Sequence, residues 1–213
     1  MKAILLAAGF GTRLLPYTKE TPKCLLKIKG EPLLGLWLEK LLNLGIDEFL
    51  INTHYLHEQV EDYVLNSKFK NNIKIINEKK LKGTAGTLQD NLDFFKNEDG
   101  LLIHADNYCE DSLELLLKSH EHRYKNTLLT MLTFKTDNPS ECGIVTIDKN
   151  NVVQSYQEKK SNPNGRIANG AVFILSRKFI MEYNLFFANA FDFSAEIIPK
   201  LIGRINTFET NKK

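Results

Sequence analysis

The sequence predicts an α/β fold, with a Rossmann-like and mostly parallel sheet flanked by helices and a smaller β-rich portion after it. Two observations predict this class. Over its first two thirds, the chain of 213 residues alternates short apolar runs with segments of helical period, which is the pattern of βαβ units. After residue 140 the helical segments give way to short, strand-like runs. No linker or internal repeat interrupts the chain, so a single domain spanning residues 1–213 is predicted.

The first strand is predicted at residues 2–7, because a nearly continuous apolar run is typical of a central parallel strand. Further strands are predicted at 48–53, 73–77, 101–105 and 127–134. A helix is predicted at 32–44, where Pro32 lies near the first position and Gly45 follows the last turn. The other helices are predicted at 58–65, 87–95 and 112–122.

In the later portion, strands at 143–147 and 152–157 flank a predicted hairpin turn. Another strand is predicted at 169–175. A last helix is predicted at 194–202, with Ser194 as its N-cap and with Pro199 bending or ending it.

Composition excludes several classes of protein. The 28 Lys and Arg residues against 26 Asp and Glu residues give a net charge of +2, which argues against a wide basic surface for nucleic acid. No apolar run approaches the length of a membrane-spanning helix, so membrane insertion is not expected. The three isolated cysteines form neither a zinc pattern nor a disulfide framework, and we expect a reduced, cytoplasmic protein.

The segment after the first strand carries the strongest chemical pattern. Gly9 and Gly11 let backbone N–H groups approach a polyphosphate, while Arg13 and Lys23 add fixed positive charge. A dinucleotide-binding loop fits less well, because Leu14 stands where that motif has its third glycine. A Walker A loop is excluded, since the sequence has no Gly-Lys-Ser/Thr.

Two weaker features follow later strands. The small residues of 83–87 leave room for a flat base and a ribose, although the segment taken alone is better interpreted as a plain loop with a helix N-cap. Asp106 follows the fourth strand, where a single carboxylate can hold Mg²⁺ between phosphates or cap a loop.

Together these segments resemble the sugar-1-phosphate nucleotidylyltransferases, whose fold is called nucleotidyltransferase A-like. Residues 6–23 match the family pattern L-A-A-G-x-G-T-R-L-x-P-x-T-x-x-x-P-K at each fixed position. The match continues in order through Gly83-Thr84-Ala85-Gly86, Asp106, Gly143, Glu158-Lys159 and Asn169-Gly170. Within the family, the sequence most resembles the mannose-1-phosphate guanylyltransferase-like members.

The resemblance implies a reaction and a role for each matched residue. The family joins a nucleoside triphosphate to a sugar-1-phosphate and releases pyrophosphate, with Mg²⁺ as cofactor. Arg13 is expected to neutralise the leaving pyrophosphate, Lys23 to contact the reacting phosphates and Asp106 to hold the metal. Residues 1–140 form the nucleotide-binding portion, and residues 141–213 form the sugar-phosphate-binding portion. The nucleotide-binding residues implied are Leu6, Ala8, Gly9, Gly11, Thr12, Glu78, Gly83 and Thr84.

For the sugar phosphate, the resemblance implies Lys159 as a clamp, with Glu158, Asn169 and the Gly143 backbone facing the sugar hydroxyls. Neighbouring residues of a strand point to opposite faces. Glu158 and Lys159 can therefore face one pocket only where the backbone bulges.

Glu78 lies where family members place a base-contacting Gln or Glu. Its two acceptor oxygens match the adjacent N1–H and amino donors of guanine, which predicts GTP as the nucleotide. The alternatives are a uridylyltransferase, a cytidylyltransferase acting on a non-sugar phosphate, a non-catalytic nucleotide-binding relative and, least favoured, an NAD oxidoreductase. The family further implies a role in surface glycan synthesis, and a homodimer is compatible with it.

Two departures from the family pattern stand out. Ala105 replaces the glycine that usually precedes the metal-binding Asp. Family members usually carry a second metal-binding Asp in a D-x-G-T segment near the C-terminus. This sequence reaches its last residues, 211–213, without such a segment. Either the sequence is truncated, or one carboxylate binds the metal alone, or the protein is an inactive relative. Asp192 and Glu196 are the candidate substitutes.

Overall fold

The computed structural model describes residues 1–210. Its strands are β1 (Lys2–Leu6), β2 (Lys27–Ile28), β3 (Glu31–Pro32), β4 (Phe49–Thr53), β5 (Ile73–Asn77), β6 (Gly100–His104), β7 (Leu129–Lys135), β8 (Gly143–Ile147), β9 (Val153–Glu158), β10 (Ile167–Leu175) and β11 (Ile205–Glu209). Its α-helices are α1 (Leu33–Leu42), α2 (His57–Leu65), α3 (Gly83–Asp90), α4 (Glu114–Glu121) and α5 (Arg177–Phe187).

One large sheet organises the molecule, with strand order β11-β7-β10-β6-β1-β4-β5. β1 pairs in parallel with β4 and β6, β4 pairs in parallel with β5, and β7 pairs in parallel with β11. β10 runs antiparallel between β6 and β7, and the β8–β9 hairpin attaches to its first residues. The predicted α/β class, with a mostly parallel sheet flanked by helices, is confirmed.

The sheet is buried because helices cover both of its faces. α1, α2 and α4 cover one face with side chains such as Leu38, Val60 and Leu116, and α3 and α5 cover the other with Leu88 and Phe179. Each fully buried large apolar side chain contributes roughly 1.5–3 kcal/mol. All five residues of β1 are buried. The strand therefore fixes the position at which the segment after it begins.

α3 begins four residues earlier than the sequence predicts. The stretch Gly83-Thr84-Ala85-Gly86 forms its first turns, and a separate 3-10 turn follows at Leu92–Phe95. Two glycines lower the intrinsic preference for helix. A tertiary hydrogen bond compensates, because the Ala85 amide donates to the carbonyl oxygen of Phe191 at 3.0 Å.

The C-terminal third departs further from the predictions. α5 and β11 were not predicted, and the predicted helix at 194–202 is instead a π-helical turn, Phe193–Ile197, followed by a 3-10 turn, Ile198–Leu201. Asp192 caps the first turn through the Ala195 amide, so the prediction of Ser194 as the cap was wrong. Pro199 lies at the start of the 3-10 turn, where its missing N–H costs least.

Among residues 1–210, no helix combines the length and apolarity needed to cross a membrane. All three cysteines have free thiols.

Candidate active site

Two adjoining cavities open where the carboxyl ends of β1, β4 and β6 meet, which is the edge where parallel sheets bind ligands. The small cavity has a volume of about 250 Å³, and the large cavity about 570 Å³. His104, the last residue of β6, lines both.

The small cavity brings together residues that are far apart in the sequence. Eight of the residues predicted for the nucleotide, the reacting phosphates and the metal line it: Leu6, Ala8, Gly9, Lys23, Glu78, Gly83, Thr84 and Asp106. Its remaining walls come from Ala7, Cys24, Asn52, Leu81, His104, Phe191 and Asp192.

Two predicted residues lie outside the walls of both cavities, namely Gly11 and Thr12. Gly11 shapes the loop instead. Its φ of +66° lies in the left-handed region, its carbonyl accepts a hydrogen bond from the Thr18 hydroxyl at 2.8 Å, and an added Cβ would lie 2.8 Å from Thr18 Cγ2. Gly9 differs, because a Cβ added there would meet no atom within 4 Å. The protein alone therefore gives no steric reason for glycine at position 9.

Lys23 and Asp106 form an ion pair in the small cavity, with Nζ and Oδ2 2.8 Å apart. Lys23 begins a 3-10 turn that the Leu25 amide closes on the Pro22 carbonyl. The Ala105 amide, in turn, donates to the Leu6 carbonyl and holds the chain beside Asp106. The two side chains keep 22% and 35% of their surface exposed, so both remain reachable by a ligand.

Cys24 lies beside this ion pair but is chemically inert. Burial, reinforced by the negative charge of Asp106, raises the pKa of its thiol to about 12. The thiol therefore stays protonated at neutral pH and serves as a packing group.

The carboxylate oxygens of Glu78 are less free to bind a base than the sequence analysis predicts. Its Oε1 accepts hydrogen bonds from Asn52 Nδ2 and from the Thr87 hydroxyl, and its Oε2 accepts one from the Lys82 amide. A carboxylate has about four acceptor positions, so one remains, on Oε2. The structure does not present two free oxygens to the paired donors of guanine, and that part of the argument was wrong.

Asn52 and His104 were missed by sequence reasoning. Asn52 is a buried polar residue near the end of an otherwise apolar strand, and its Oδ1 accepts the Ala7 amide at 2.9 Å. That polar residue within an apolar run was the available signal. Burial lowers the pKa of His104, and its Nε2 is a buried nitrogen with no hydrogen-bond partner among the described residues.

The large cavity contains the four residues predicted for the sugar phosphate, Gly143, Glu158, Lys159 and Asn169, and it also contains Arg13. Arg13 lies on the wall of this cavity and not of the small one. Trp37 and Asn107 also line it, although neither was predicted. The Trp37 indole donates to the Asn107 carbonyl at 2.8 Å, which fixes the start of the loop after Asp106.

Glu158 and Lys159 both reach the large cavity because the backbone turns between them. β9 ends at Glu158, and Lys159 has a φ of +43°. Lys159 Nζ lies 3.2 Å from Glu158 Oε1, while the Tyr156 hydroxyl donates to Glu158 Oε2. Burial and the adjacent Glu158 raise the pKa of Tyr156, so this hydroxyl remains a donor.

Gly143 and Asn169 complete this part of the cavity. A Cβ on Gly143 would overlap the Tyr156 hydroxyl and lie 2.7 Å from Glu158 Oε2, so only glycine leaves this cluster intact. Asn169 is oriented by the Ala171 amide, which donates to its Oδ1 at 2.8 Å, and by the Ser194 hydroxyl, 3.4 Å from its Nδ2.

The family model described as nucleotidyl transferase matches residues 2–211. The chain belongs to this family. D-glycero-α-D-manno-heptose 1-phosphate guanylyltransferase of Campylobacter jejuni is 30% identical, covering 98% of this chain and 91% of the relative. Mannose-1-phosphate guanylyltransferase catalytic subunit beta of Drosophila melanogaster is 27% identical, covering 82% of this chain and 48% of the relative.

Among solved structures, HddC from Yersinia pseudotuberculosis in complex with GMP-PN superposes with a TM-score of 0.80 at 26% identity, covering 100% of this chain and 91% of HddC. Several curated relatives are much longer. The chain spans 54%, 40% and 48% of three of them, or about half.

Two aspartates of the small cavity match the number of carboxylates that Mg²⁺ typically takes from a protein. No group of three or more metal-ligating side chains lies together within residues 1–210. Mg²⁺ typically uses one or two carboxylates together with substrate phosphates. Asp106 and Asp192 line the same small cavity. Glu196, the other candidate, has its Oε1 bound by the Phe191 and Asp192 amides and serves to hold the backbone.

Proposed function

We propose that this protein transfers a nucleoside monophosphate from GTP to a sugar-1-phosphate, releasing pyrophosphate and forming an NDP-sugar. The observation that carries the proposal is the pair of adjoining cavities. The small one joins the Gly9 backbone to a Lys23–Asp106 pair, and the large one joins Lys159 to Arg13 and a polar wall. A two-substrate transfer needs two binding sites that meet at the reacting atoms.

The proposed chemistry is an in-line displacement. A phosphate oxygen of the sugar-1-phosphate attacks the α-phosphorus of the nucleotide, and the bond from that phosphorus to the bridging oxygen of the β-phosphate breaks. The phosphate monoester has a second pKa near 6 and is largely a dianion at neutral pH. No side chain is required to remove a proton.

The barrier comes from bringing two polyanions together. Each close pair of like charges repels by about 1–4 kcal/mol near a protein surface. Lys23, Arg13 and Lys159 are the cations that oppose this repulsion, from the walls of both cavities. Catalysis is therefore positioning combined with electrostatic stabilisation.

Asp106 would hold Mg²⁺ in the small cavity, with Asp192 as the second carboxylate nearby. When bound, the ion would supply positive charge at the reacting phosphates. In the protein alone, Lys23 contacts one of the two oxygens of the Asp106 carboxylate, Oδ2.

GTP is proposed because of the relatives. The Campylobacter jejuni and Drosophila melanogaster proteins are named guanylyltransferases, and HddC was solved with GMP-PN. The geometry of Glu78 does not carry this choice. A cytoplasmic role in supplying activated sugar for a surface glycan belongs to the same proposal.

Pyrophosphate release tests the function directly. The protein is incubated with Mg²⁺, one of GTP, UTP, CTP or dTTP, and one of a panel of sugar-1-phosphates that includes mannose and manno-heptose. The proposal expects turnover with GTP. A clear preference for UTP or CTP would identify one of the alternative nucleotidylyltransferases, and binding without turnover would identify a non-catalytic relative.

The R13A variant tests the role of positive charge. Loss of one such group should lower kcat by about 10² to 10³. R177A removes an arginine at the start of α5 that lines neither cavity and serves as the control. Retention of most turnover by R13A contradicts the assigned role.

A further inference from the structure

Phe191 is an aromatic residue on the wall of the small cavity that no part of the proposed chemistry uses. It lies between α5 and the π-helical turn and is 57% exposed. A single exposed apolar residue is common on protein surfaces and needs no explanation by itself. The way in which this residue is held is more informative.

The backbone of Phe191 is fixed on both sides. Its amide donates to Glu196 Oε1 at 3.0 Å, and its carbonyl accepts the Ala85 amide at 3.0 Å. The C-terminal third of the chain is thereby bonded to the first turn of α3. The backbone position of Phe191 is consequently fixed, and only the two side-chain torsions lose freedom when a ligand covers the ring.

Phe191 packs directly against the backbone of Gly83. The φ of Gly83 is +72°, and a Cβ added there would overlap the Phe191 carbonyl and lie 2.9 Å from Cδ1 of the ring. The glycine of the Gly-Thr-Ala-Gly segment therefore accommodates Phe191 directly. The ring forms one surface of the cavity beside the small residues of α3.

The chemistry of the cavity then orients a nucleotide. In the proposed function, the phosphates bind at the charged Lys23–Asp106 pair. An apolar part of the wall is supplied by Leu81 and Phe191, next to Gly83. A flat and weakly polar base fits that part, whereas a triphosphate does not.

We infer that Phe191 is a nucleotide-positioning residue, whose ring stacks on the base and fixes it relative to Lys23 and Asp106. This inference rests on the proposed function. Every base has a π-face, so stacking strengthens binding without choosing among bases. Phe191 therefore sets affinity for all four nucleotides, and selectivity comes from other groups.

The test compares nucleotide binding by matched variants in the presence of Mg²⁺. F186A is the control, because Phe186 is 60% exposed on α5 and lines neither cavity. Stacking on an aromatic ring is worth about 1–3 kcal/mol per base, so calorimetry should show roughly 5- to 150-fold weaker binding of GTP and of UTP by F191A. F186A should bind both as the wild type does.

Two further variants separate stacking from a structural role. F191L keeps apolar volume but lacks the flat ring, so it should retain the wild-type melting temperature and still lose affinity. F191W should regain affinity, and saturating nucleotide should quench its added indole emission. Wild-type binding by F191L, or an emission of F191W that nucleotide leaves unchanged, overturns the inference alone. A wild-type protein that binds no nucleotide overturns the proposed function as well.

Discussion

Replacing Lys23 by methionine should tighten the binding of Mg²⁺ to the nucleotide-free protein, although the replacement removes a residue assigned to the reaction. In the protein alone, the ammonium of Lys23 lies 2.8 Å from Asp106 Oδ2, one of the two oxygens of the carboxylate proposed for the metal. A divalent ion and this ammonium about 4 Å apart would repel by roughly 2–8 kcal/mol, depending on the local dielectric. An ion bound to either oxygen of Asp106 is therefore repelled until Lys23 moves away.

The cost of that displacement sets the size of the effect. Lys23 can turn toward solvent, so the cost is limited to its partly exposed, charge-assisted hydrogen bond, about 1–2 kcal/mol. K23M should consequently bind Mg²⁺ about 5- to 30-fold more tightly than the wild type. Isothermal titration of MgCl₂ into nucleotide-free protein measures it.

A matched control removes the effect of net charge. K29M deletes a lysine paired with Glu110 at 2.9 Å, which lines neither the small nor the large cavity, and it should leave Mg²⁺ affinity unchanged. D106N should abolish the site. Equal or weaker Mg²⁺ binding by K23M would refute the reasoning that Lys23 and the metal compete for one carboxylate.

Four further substitutions probe other parts of the structure. G9A should leave the melting temperature unchanged, because a Cβ there meets nothing within 4 Å, but it should weaken nucleotide binding in calorimetry. G11A, at a φ of +66°, should instead lose roughly 1–2 kcal/mol of unfolding free energy in urea titrations. An unchanged nucleotide affinity of G9A would contradict the close backbone approach. G143A should displace the polar cluster of the large cavity, so kcat/KM for the sugar-1-phosphate should fall by roughly 10² while nucleotide affinity stays unchanged. An equal loss of nucleotide affinity would argue against separate cavities. Burial lowers the pKa of His120 although Asp99 lies 3.3 Å from its Nε2, so the unfolded chain binds a proton more readily than the folded protein below about pH 6.5. Stability therefore falls as the pH drops through that value. H120Q should show a shallower fall in melting temperature over that interval, with a residual slope from His104, and an unaltered slope would remove His120 from the explanation.

The sequence predicts the first half of the fold well because its determinants are local. The apolar run of β1, the helical spacing of α1 and the segment 6–23 are each legible within a short window. α3 shows where such reading ends. Its first turns contain two glycines, and they are supported by a hydrogen bond from Ala85 to a carbonyl more than a hundred residues later.

α5 was missed for a related reason. Leu185 and Phe186 are exposed apolar residues on a helix whose core face also carries Phe179 and Tyr183, so the amphipathic stripe is blurred. β11 is a short edge strand, and its parallel partner β7 lies more than seventy residues earlier. Edge pairing of this kind leaves little periodic signal in the sequence.

In the candidate site too, features within a short motif could be predicted and contacts between distant segments could not. The backbone around Gly9 and the residue types at Lys23 and Asp106 belong to motifs, whereas the contact between those two side chains joins segments 83 residues apart. The argument from Glu78 failed because Asn52 and Thr87, from two other elements, occupy one of its oxygens. Which lone pairs of a buried carboxylate are free depends on tertiary packing.

The crystal structure of the protein soaked with GTP and Mg²⁺ tests the central claim most directly. We expect a nucleotide in the small cavity, with its base against Phe191 and its α-phosphate at Asp106, and an open large cavity beside it. A nucleotide bound in the large cavity, or outside both cavities, would show that the two cavities are assigned wrongly.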